Sequence, residues 1–177
     1  MNTNISTGLV ILNMGNGKGK TTSALGMLLR SYGDGLRVGV LRFDRRPGRI
    51  YGEAISCMRL DIPYHSFGNP RHGKRSSQEK HRTAALMSWL QAQDWISSAA
   101  YDVLLLDGMT EMFTQHWLDA EDTVNWLKRH KPSGMHLVIT GQCAPEELIE
   151  YADLVTEMKE IKSPLQHDLN SQAGVVY

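Results

Sequence analysis

Runs of consecutive apolar residues recur along the chain at strand length and predict a buried sheet. Val10, Ile11 and Leu12 follow one another without polar alternation, as do the residues from Val103 to Leu106. Uninterrupted apolar strands are expected when both faces of a sheet are covered, as in parallel α/β folds. The predicted strands are Gly8–Asn13, Leu36–Phe43, Tyr101–Asp107 and His136–Thr140, with weaker candidates at Pro63–Phe67 and Asp153–Met158.

Helical patterns fall between these runs. The segment Thr21–Tyr32 carries one apolar stripe, made of Leu25, Leu28, Leu29 and Tyr32. A longer helix is predicted over Ser76–Ala99, where Ser76 and Glu79 form a capping box and Ala85, Trp89, Ala92 and Ile96 recur at helical spacing. Shorter helices are predicted over Asp119–His130 and after Pro145. Strands that alternate with helices require crossover connections, so the sheet should be mostly parallel.

Composition narrows the class of protein. The 177 residues favour one domain over 1–177, and 41% hydrophobic with 21% charged residues is ordinary for a globular protein. Lysine plus arginine and aspartate plus glutamate balance at 19 each, which gives no argument for nucleic acid or an anionic membrane as partner. Two distant cysteines fit a reducing compartment. Without a secretory signal or a spanning segment, the cytoplasm is the expected location.

A glycine-rich stretch, "MGNGKGKTTSALG", directly follows the first predicted strand and opens the first predicted helix. It ends as the phosphate-binding loop G-x-x-x-x-G-K-[ST] does, with Gly19, Lys20 and Thr21, but Met14 stands at the first glycine position. Glycines allow backbone amides to turn toward an anion, and the following helix dipole favours negative charge. Lys20 can reach phosphate oxygens, and Thr21 stands where a magnesium ligand belongs. The alternative is a glycine-rich turn, although the strand–loop–helix context favours nucleotide binding.

A second landmark is the aspartate at the end of "YDVLLLD". A carboxylate after an apolar central strand is the Walker B arrangement, in which Asp107 would hold the metal directly or through water. The alternative is an aspartate that caps the next turn. Together, loop and alternation predict a single-domain α/β protein with a P-loop NTPase-like, RecA-type three-layer fold. Lys20 and Asp107 are the predicted catalytic residues, and Thr21 with Asp107 the predicted metal ligands.

The motif order resembles the P-loop corrinoid adenosyltransferases, which act on cob(I)alamin or cob(I)yrinic acid a,c-diamide. Their loop typically reads T-G-N-G-K-G-K-T-T, also without glycine at the first position. The segment "TGQCAPEELIEYADLVTEM" is similar to the family's T-G-R-x-A-P-E-E-L-I-E-x-A-D-L-V-T-E-M, and "SQAGVVY" to its closing A-Q-x-G-I-E-[FY]. The resemblance covers most of the chain outside residues 44–99.

The resemblance implies a reaction and its ligands. ATP with Mg²⁺ or Mn²⁺ would bind in the loop, Co(I) of a corrinoid would attack C5′ of the ribose, and triphosphate would leave. The protein would accelerate this reaction by aligning the ribose carbon with cobalt and by neutralising charge on the phosphates. Family members are typically homodimers. The implied phosphate and nucleotide ligands are Gly15, Asn16, Gly17, Lys18, Gly19, Lys20, Thr21, Thr22 and Arg30.

Three differences from the family pattern concern the chemistry and the second substrate. Gly108 follows Asp107 where the family has glutamate; Glu111, one turn on, either replaces that carboxylate in part or is solvated. The family's G-F-T-W segment, whose aromatics pack against the corrinoid, aligns with residues 70–73 of the basic stretch "NPRHGKR". That stretch is either a solvated connection or an anion-binding lid. Gln142 replaces the arginine of T-G-R.

These differences leave a rival from another class open. A relative that kept the ATP cradle and lost the transferase would act as a nucleotide-dependent binding or regulatory protein, and a plain ATPase is a third option. Other reactive side chains are assigned to packing. Met109 and Met112 should fill the core, Cys143 should be a buried bystander, and the tryptophans should be core or interface anchors. No histidine pair has zinc-ligand spacing.

Overall fold

The sheet is fully parallel. The computed structural model describes residues 7–43, 51–66 and 78–162, with Gln78 and Lys80 described only by their backbone. Within these residues six strands lie in the order β3-β2-β4-β5-β1-β6, and every neighbouring pair is parallel. The predicted strands are therefore confirmed. Their bounds are β1 Val10–Met14, β2 Val38–Arg42, β3 Tyr64–Ser66, β4 Val103–Asp107, β5 His136–Thr140 and β6 Leu154–Glu157.

The helices include two that the sequence pattern did not predict. These are α2 (Gly52–Arg59), inside a stretch rich in arginine, glycine and proline, and the single turn α4 (Glu111–Thr114). Asp119 caps α5, where its carboxylate accepts a hydrogen bond from the Asp122 N–H at 2.9 Å. The proposed capping serine of α3, Ser76, lies outside the described residues. The other helices are α1 Lys20–Gly33, α3 Gln78–Ser97, α5 Ala120–His130 and α6 Glu146–Tyr151.

Two hydrophobic cores, one on each face of the sheet, explain the uninterrupted apolar strands. Successive residues of β4 alternate between them: Leu104 and Leu106 belong to one core, and Val103 and Leu105 to the other. The first core also contains the predicted face of α3, and the second contains Ala24 and Leu28 of α1. The fold is thus three-layered, as the sequence predicts.

The predicted apolar stripe of α1 is partly wrong. Leu28 is buried, but Leu29 and Tyr32 are 52% and 39% exposed. The helix instead places Ala24, which is fully buried, one turn before Leu28 against the sheet. The Tyr32 hydroxyl donates to the Leu60 carbonyl at the end of α2, at 3.0 Å. The small side chain of Ala24 lets the helix approach the strands closely, which turns the larger residues outward.

The strand order brings two predicted functional segments to one edge. In a parallel sheet all carboxyl ends lie on the same side, where ligands of open α/β sheets bind. The glycine-rich loop follows β1, Asp107 ends β4, and β5 lies between these strands. A P-loop strand separated from the aspartate strand by one strand is the RecA-type arrangement, so the predicted fold class is confirmed. Among the described helices, none is long and apolar enough to span a membrane.

Gly26 offers a test of α1 that leaves the site untouched. A Cβ added at this mid-helix position meets nothing within 4 Å. Because alanine costs less backbone entropy than glycine in a helix, Gly26→Ala should raise the free energy of unfolding by about 0.5–1 kcal/mol. Urea unfolding followed by circular dichroism measures this change; a destabilised variant would contradict the described helix.

Candidate functional site

The glycine-rich loop runs from the end of β1 into α1 through two left-handed residues. Gly15 and Gly19 have φ of 110° and 109°, a conformation that side chains disfavour. Gly19 immediately precedes α1, whose first helical residue is Lys20. The N–H groups in the first turn of a helix have no acceptor within the helix, so they are available to bind an anion beyond its end. The loop therefore presents a positive end of α1 at the sheet edge.

Two glycines of the loop anchor it rather than present their amides. The Gly15 N–H donates to the Gln142 carbonyl at 2.9 Å, and the Gly17 N–H to the Met158 carbonyl at 2.7 Å. Met158 follows the edge strand β6, and its N–H donates to the Met14 carbonyl at 2.8 Å. A Cβ on Gly15 or Gly17 would lie within 2.8 Å of Met158 backbone atoms. The residues after β6 thus fix the shape of the loop, a role that the sequence did not indicate.

Lys20 folds back over this loop. Its Nζ donates to the Gly17 carbonyl at 2.6 Å. Burial and the neighbouring Lys18 ammonium lower the pKa of Lys20, and the Glu111 and Asp107 carboxylates oppose the shift. A partly desolvated ammonium beside a second cation gains when phosphate oxygens approach. The position and charge of Lys20 are those that the predicted phosphate contact requires, and the contact itself stays a prediction.

Asp107 is the hub of a hydrogen-bond network at the end of β4. Its Oδ1 accepts from the hydroxyl groups of Thr21 and Thr140, both at 2.7 Å. Thr140 in turn accepts from the Gly108 N–H at 2.9 Å. The Asp107 side chain is only 5% exposed, so these donors and a nearby guanidinium compensate for the loss of water around it. Thr21 and Asp107, the predicted metal ligands, are in direct contact.

Arg42 is a site residue that the sequence analysis missed. It ends β2 directly beside Asp107 in the sheet register, and its Nη1 lies 3.4 Å from the Asp107 Oδ2. The same Nη1 pairs with the Glu53 carboxylate, and its guanidinium carbon lies 3.9 Å from the centre of the Tyr51 ring. The signal in the sequence was weak, an arginine near the end of a mostly apolar predicted strand, at the edge where ligands bind.

Residues of the glycine-rich loop, together with Arg42 and Asp107, line one cavity of about 410 Å³. The cationic side chains among its lining residues are Lys18 and Lys20 of the loop and Arg42 of β2. The carboxylates on its wall are Asp107 and Glu111. The remaining lining residues are Asn16, Thr21, Phe43, Gly108, Thr140, Gly141 and Gln142. A cavity with phosphate-binding cations beside a threonine–aspartate pair can take a polyphosphate together with its metal.

The residues present offer Mg²⁺ two oxygen ligands, and a bound nucleotide would supply others. Mg²⁺ prefers oxygen ligands and is usually held by one or two protein groups plus phosphates and water. Thr21 and Asp107 supply such oxygens 2.7 Å apart. Among residues 7–43, 51–66 and 78–162, no three His, Cys, Asp or Glu side chains converge on a metal position. Phosphate oxygens and water would therefore complete the coordination.

Other predicted residues have different outcomes. Glu111 is half-buried on the cavity wall, so its interpretation as a solvated glutamate is wrong. Cys143 is exposed rather than buried, because the connection after β5 turns into solvent there. Arg30 is exposed in the last turn of α1 and is not a lining residue of the cavity. Arg30 is the tenth residue after Lys20 in the helix, a rise of about 15 Å, and its contact with the nucleotide stays a prediction.

The aromatic residues are mostly structural. Trp89 is 8% exposed and packs edge-to-face on Trp126 at 5.4 Å between ring centres. Trp95 and Trp117 pack against the same core. Met109 and Met112 are fully buried, as predicted. Residues 70–73, aligned with the family's aromatic segment, lie outside the described residues.

Comparisons with known proteins agree with this geometry. The family described as "ATP:corrinoid adenosyltransferase BtuR/CobO/CobP" matches residues 6–177. A corrinoid adenosyltransferase from Sinorhizobium sp. is 34% identical over 96% of this chain and 80% of its own length. Those from Pseudomonas aeruginosa and Escherichia coli K12 are each 28% identical over 96% of this chain, and over 84% and 86% of their own lengths. The chain therefore belongs to the ATP:corrinoid adenosyltransferase family.

Proposed function

We propose that this protein is an ATP-dependent corrinoid adenosyltransferase, which transfers the 5′-deoxyadenosyl group of MgATP to Co(I) of a corrinoid. Family membership supports the reaction class. The observation that supports specific residues is the cavity, whose wall contains Lys20 at the amino end of α1 beside the hydrogen-bonded pair Thr21 and Asp107. This is where a triphosphate with its cation fits.

The cavity is suited to a leaving triphosphate. In the transfer, the electron pair of Co(I) forms the cobalt–carbon bond, and the bond between C5′ and its oxygen breaks. The electrons of that bond stay on the triphosphate, and the cobalt becomes formally Co(III). Lys20 and the first-turn amides of α1 would bind the oxygens on which negative charge grows. Mg²⁺ held at Thr21 and Asp107 would supply further charge neutralisation.

Other ligands and assembly follow from the same proposal. The implied phosphate contacts are Asn16 and Lys18–Thr22, with Gly15 and Gly17 shaping the loop. Arg30 would contact a nucleotide, and a homodimer would be the functional unit, in which an exposed residue of one protomer can serve its partner. Lys20 and Asp107 would be the catalytic residues. The cavity's second substrate would be a corrinoid, with no requirement for nucleic acid or a membrane.

A second candidate is a nucleotide-binding protein without transferase activity. The observation that favours it is Gly108, which leaves Asp107 as the single acidic residue at the end of β4. Glu111 compensates in part, since it lies on the same cavity wall and acts electrostatically on Lys20. Both candidates would bind ATP in this cavity, but only the transferase would also use a corrinoid as its second substrate.

Incubation with MgATP and chemically reduced cobalamin separates them. The transferase should convert the Co(I) spectrum to that of a light-sensitive alkylcobalamin, and only when ATP is present. Retained MgATP binding without a cobalt–carbon bond would instead support the binding protein. Phosphate release at appreciable turnover without corrinoid would identify an ATPase. The control is the same incubation with a non-hydrolysable methylene analogue bridging only the β- and γ-phosphates, which still allows transfer at C5′.

A further inference from the structure

We propose that Arg42 is an exchangeable cation, which neutralises Asp107 in the nucleotide-free protein and turns to the triphosphate when Mg²⁺ occupies Asp107. The inference deepens the proposed function, because it rests on MgATP binding in this cavity. It assigns the phosphate-sensing role to a residue outside the phosphate loop.

The position of Arg42 allows the exchange without backbone movement. The residue ends β2 on the cavity wall, beside Asp107 on β4. Its Nη1 lies 3.4 Å from the Asp107 Oδ2, a looser contact than the two 2.7 Å hydroxyl contacts at Oδ1. Loss of the Arg42 contact therefore leaves Asp107 oriented by Thr21 and Thr140. The carboxylate keeps its direction while its cation changes.

Two further groups keep the guanidinium at the cavity when it leaves Asp107. Glu53, at the start of α2, pairs with Nη1, and Tyr51 stacks beneath the guanidinium plane. The half-buried Tyr64 also lies close enough that Arg42 opposes the rise of its pKa, which burial causes. Arginine has five donors in a planar fork, so it can keep the Glu53 contact and still offer donors to phosphate oxygens.

The charges favour the exchange only when metal and phosphate arrive together. Arg42, Glu53 and Asp107 carry formal charges of +1, −1 and −1, and the guanidinium is shared between the two carboxylates. Mg²⁺ at Asp107 places two like charges next to the guanidinium, which repels it. The polyphosphate offers a nearby anion that arginine binds well. On the other side of β4, the connection after β5 contributes Gln142 to the cavity, and Gln142 is uncharged.

The test measures two affinities with opposite expected signs. Arg42→Met keeps an unbranched apolar stem and removes the charge. Titration calorimetry should show MgATP binding weakened by about 10- to 100-fold, the range expected for one charge-assisted contact. Electron paramagnetic resonance with Mn²⁺ alone should show tighter metal binding to the nucleotide-free variant, because the guanidinium no longer competes with the metal for Asp107. Arg37→Met is the matched control: the exposed Arg37 pairs with Asp102 and is not a lining residue of the cavity, so this substitution should leave both affinities unchanged.

Glu53→Gln extends the test to a variant that keeps Arg42. With one carboxylate left, the guanidinium pairs more strongly with Asp107, so Mn²⁺ should bind the nucleotide-free protein several-fold more weakly. Weaker Mn²⁺ binding by Glu53→Gln would support the proposal even if Arg42→Met does not fold. A purely structural Arg42 would weaken both affinities or neither, and unchanged Mn²⁺ binding in both variants would overturn the exchange. Failure of the unmodified protein to bind MgATP would overturn the proposed function instead.

Discussion

Lys20→Ala should abolish measurable MgATP binding and leave the fold intact. The described hydrogen bond of the ammonium is to the Gly17 carbonyl, within the loop itself, so little of the fold depends on it. Charge-assisted hydrogen bonds contribute about 1.5–3 kcal/mol each. Loss of two such contacts with phosphate oxygens would weaken binding by more than about 100-fold. Adenosyl transfer should fall at least as far, because the charge on the leaving triphosphate grows during the reaction.

Calorimetric titration with MgATP measures this loss, and circular dichroism verifies the fold of the variant. Lys128→Ala is the matched control, because Lys128 is exposed on α5 and is not among the lining residues of the cavity. This variant should bind MgATP as the unmodified protein does. Comparable MgATP affinity in Lys20→Ala and the unmodified protein would place the nucleotide elsewhere. The loop would then be a glycine-rich turn, the alternative that the sequence left open.

Gly17→Ala should have the second largest effect, although it changes no charged or catalytic group. A Cβ on Gly17 would lie 2.7 Å from the Lys159 carbonyl carbon and 2.8 Å from the Met158 carbonyl atoms. These are backbone atoms, so the loop and the segment after β6 must move apart. Such overpacking costs about 1–3 kcal/mol. The movement also breaks the 2.7 Å hydrogen bond from the Gly17 N–H to the Met158 carbonyl.

We therefore expect Gly17→Ala to lower both the free energy of unfolding and the affinity for MgATP. Urea unfolding and calorimetry measure the two quantities. Gly26→Ala, the helix variant with open space around its Cβ, is the control for the same substitution. A Gly17→Ala protein as stable as the unmodified one, with full MgATP affinity, would show that the loop is not fixed by the residues after β6.

The central pair of the site could be predicted because it depends on rules of parallel sheets. Lys20 and Thr21 follow β1, and Asp107 ends β4; carboxyl ends of parallel strands meet at one edge. The prediction needed only strand positions and motif spacing. The 2.7 Å contact between Thr21 and Asp107 shows how closely that rule locates the side chains.

The parts that could not be predicted depend on tertiary contacts between distant segments. The carbonyl of Met158 accepts the Gly17 N–H across 141 positions of sequence, and no local pattern indicates it. Arg42 was passed over because a charged residue at a strand end is common, and only its contacts with Glu53 and Asp107 distinguish it. The outward turn of Leu29 likewise follows from the close approach of Ala24 to the sheet, which periodicity alone does not reveal.

The most direct test of the account is a single-turnover reaction analysed for both products. Stoichiometric MgATP and Co(I) corrinoid are mixed with excess protein, and the phosphate products and the corrinoid are separated and quantified. Because the bond at C5′ is the one that breaks, we predict equal amounts of adenosylated corrinoid and intact triphosphate. ADP and orthophosphate in place of triphosphate, with the corrinoid unchanged, would contradict adenosyl transfer by this protein.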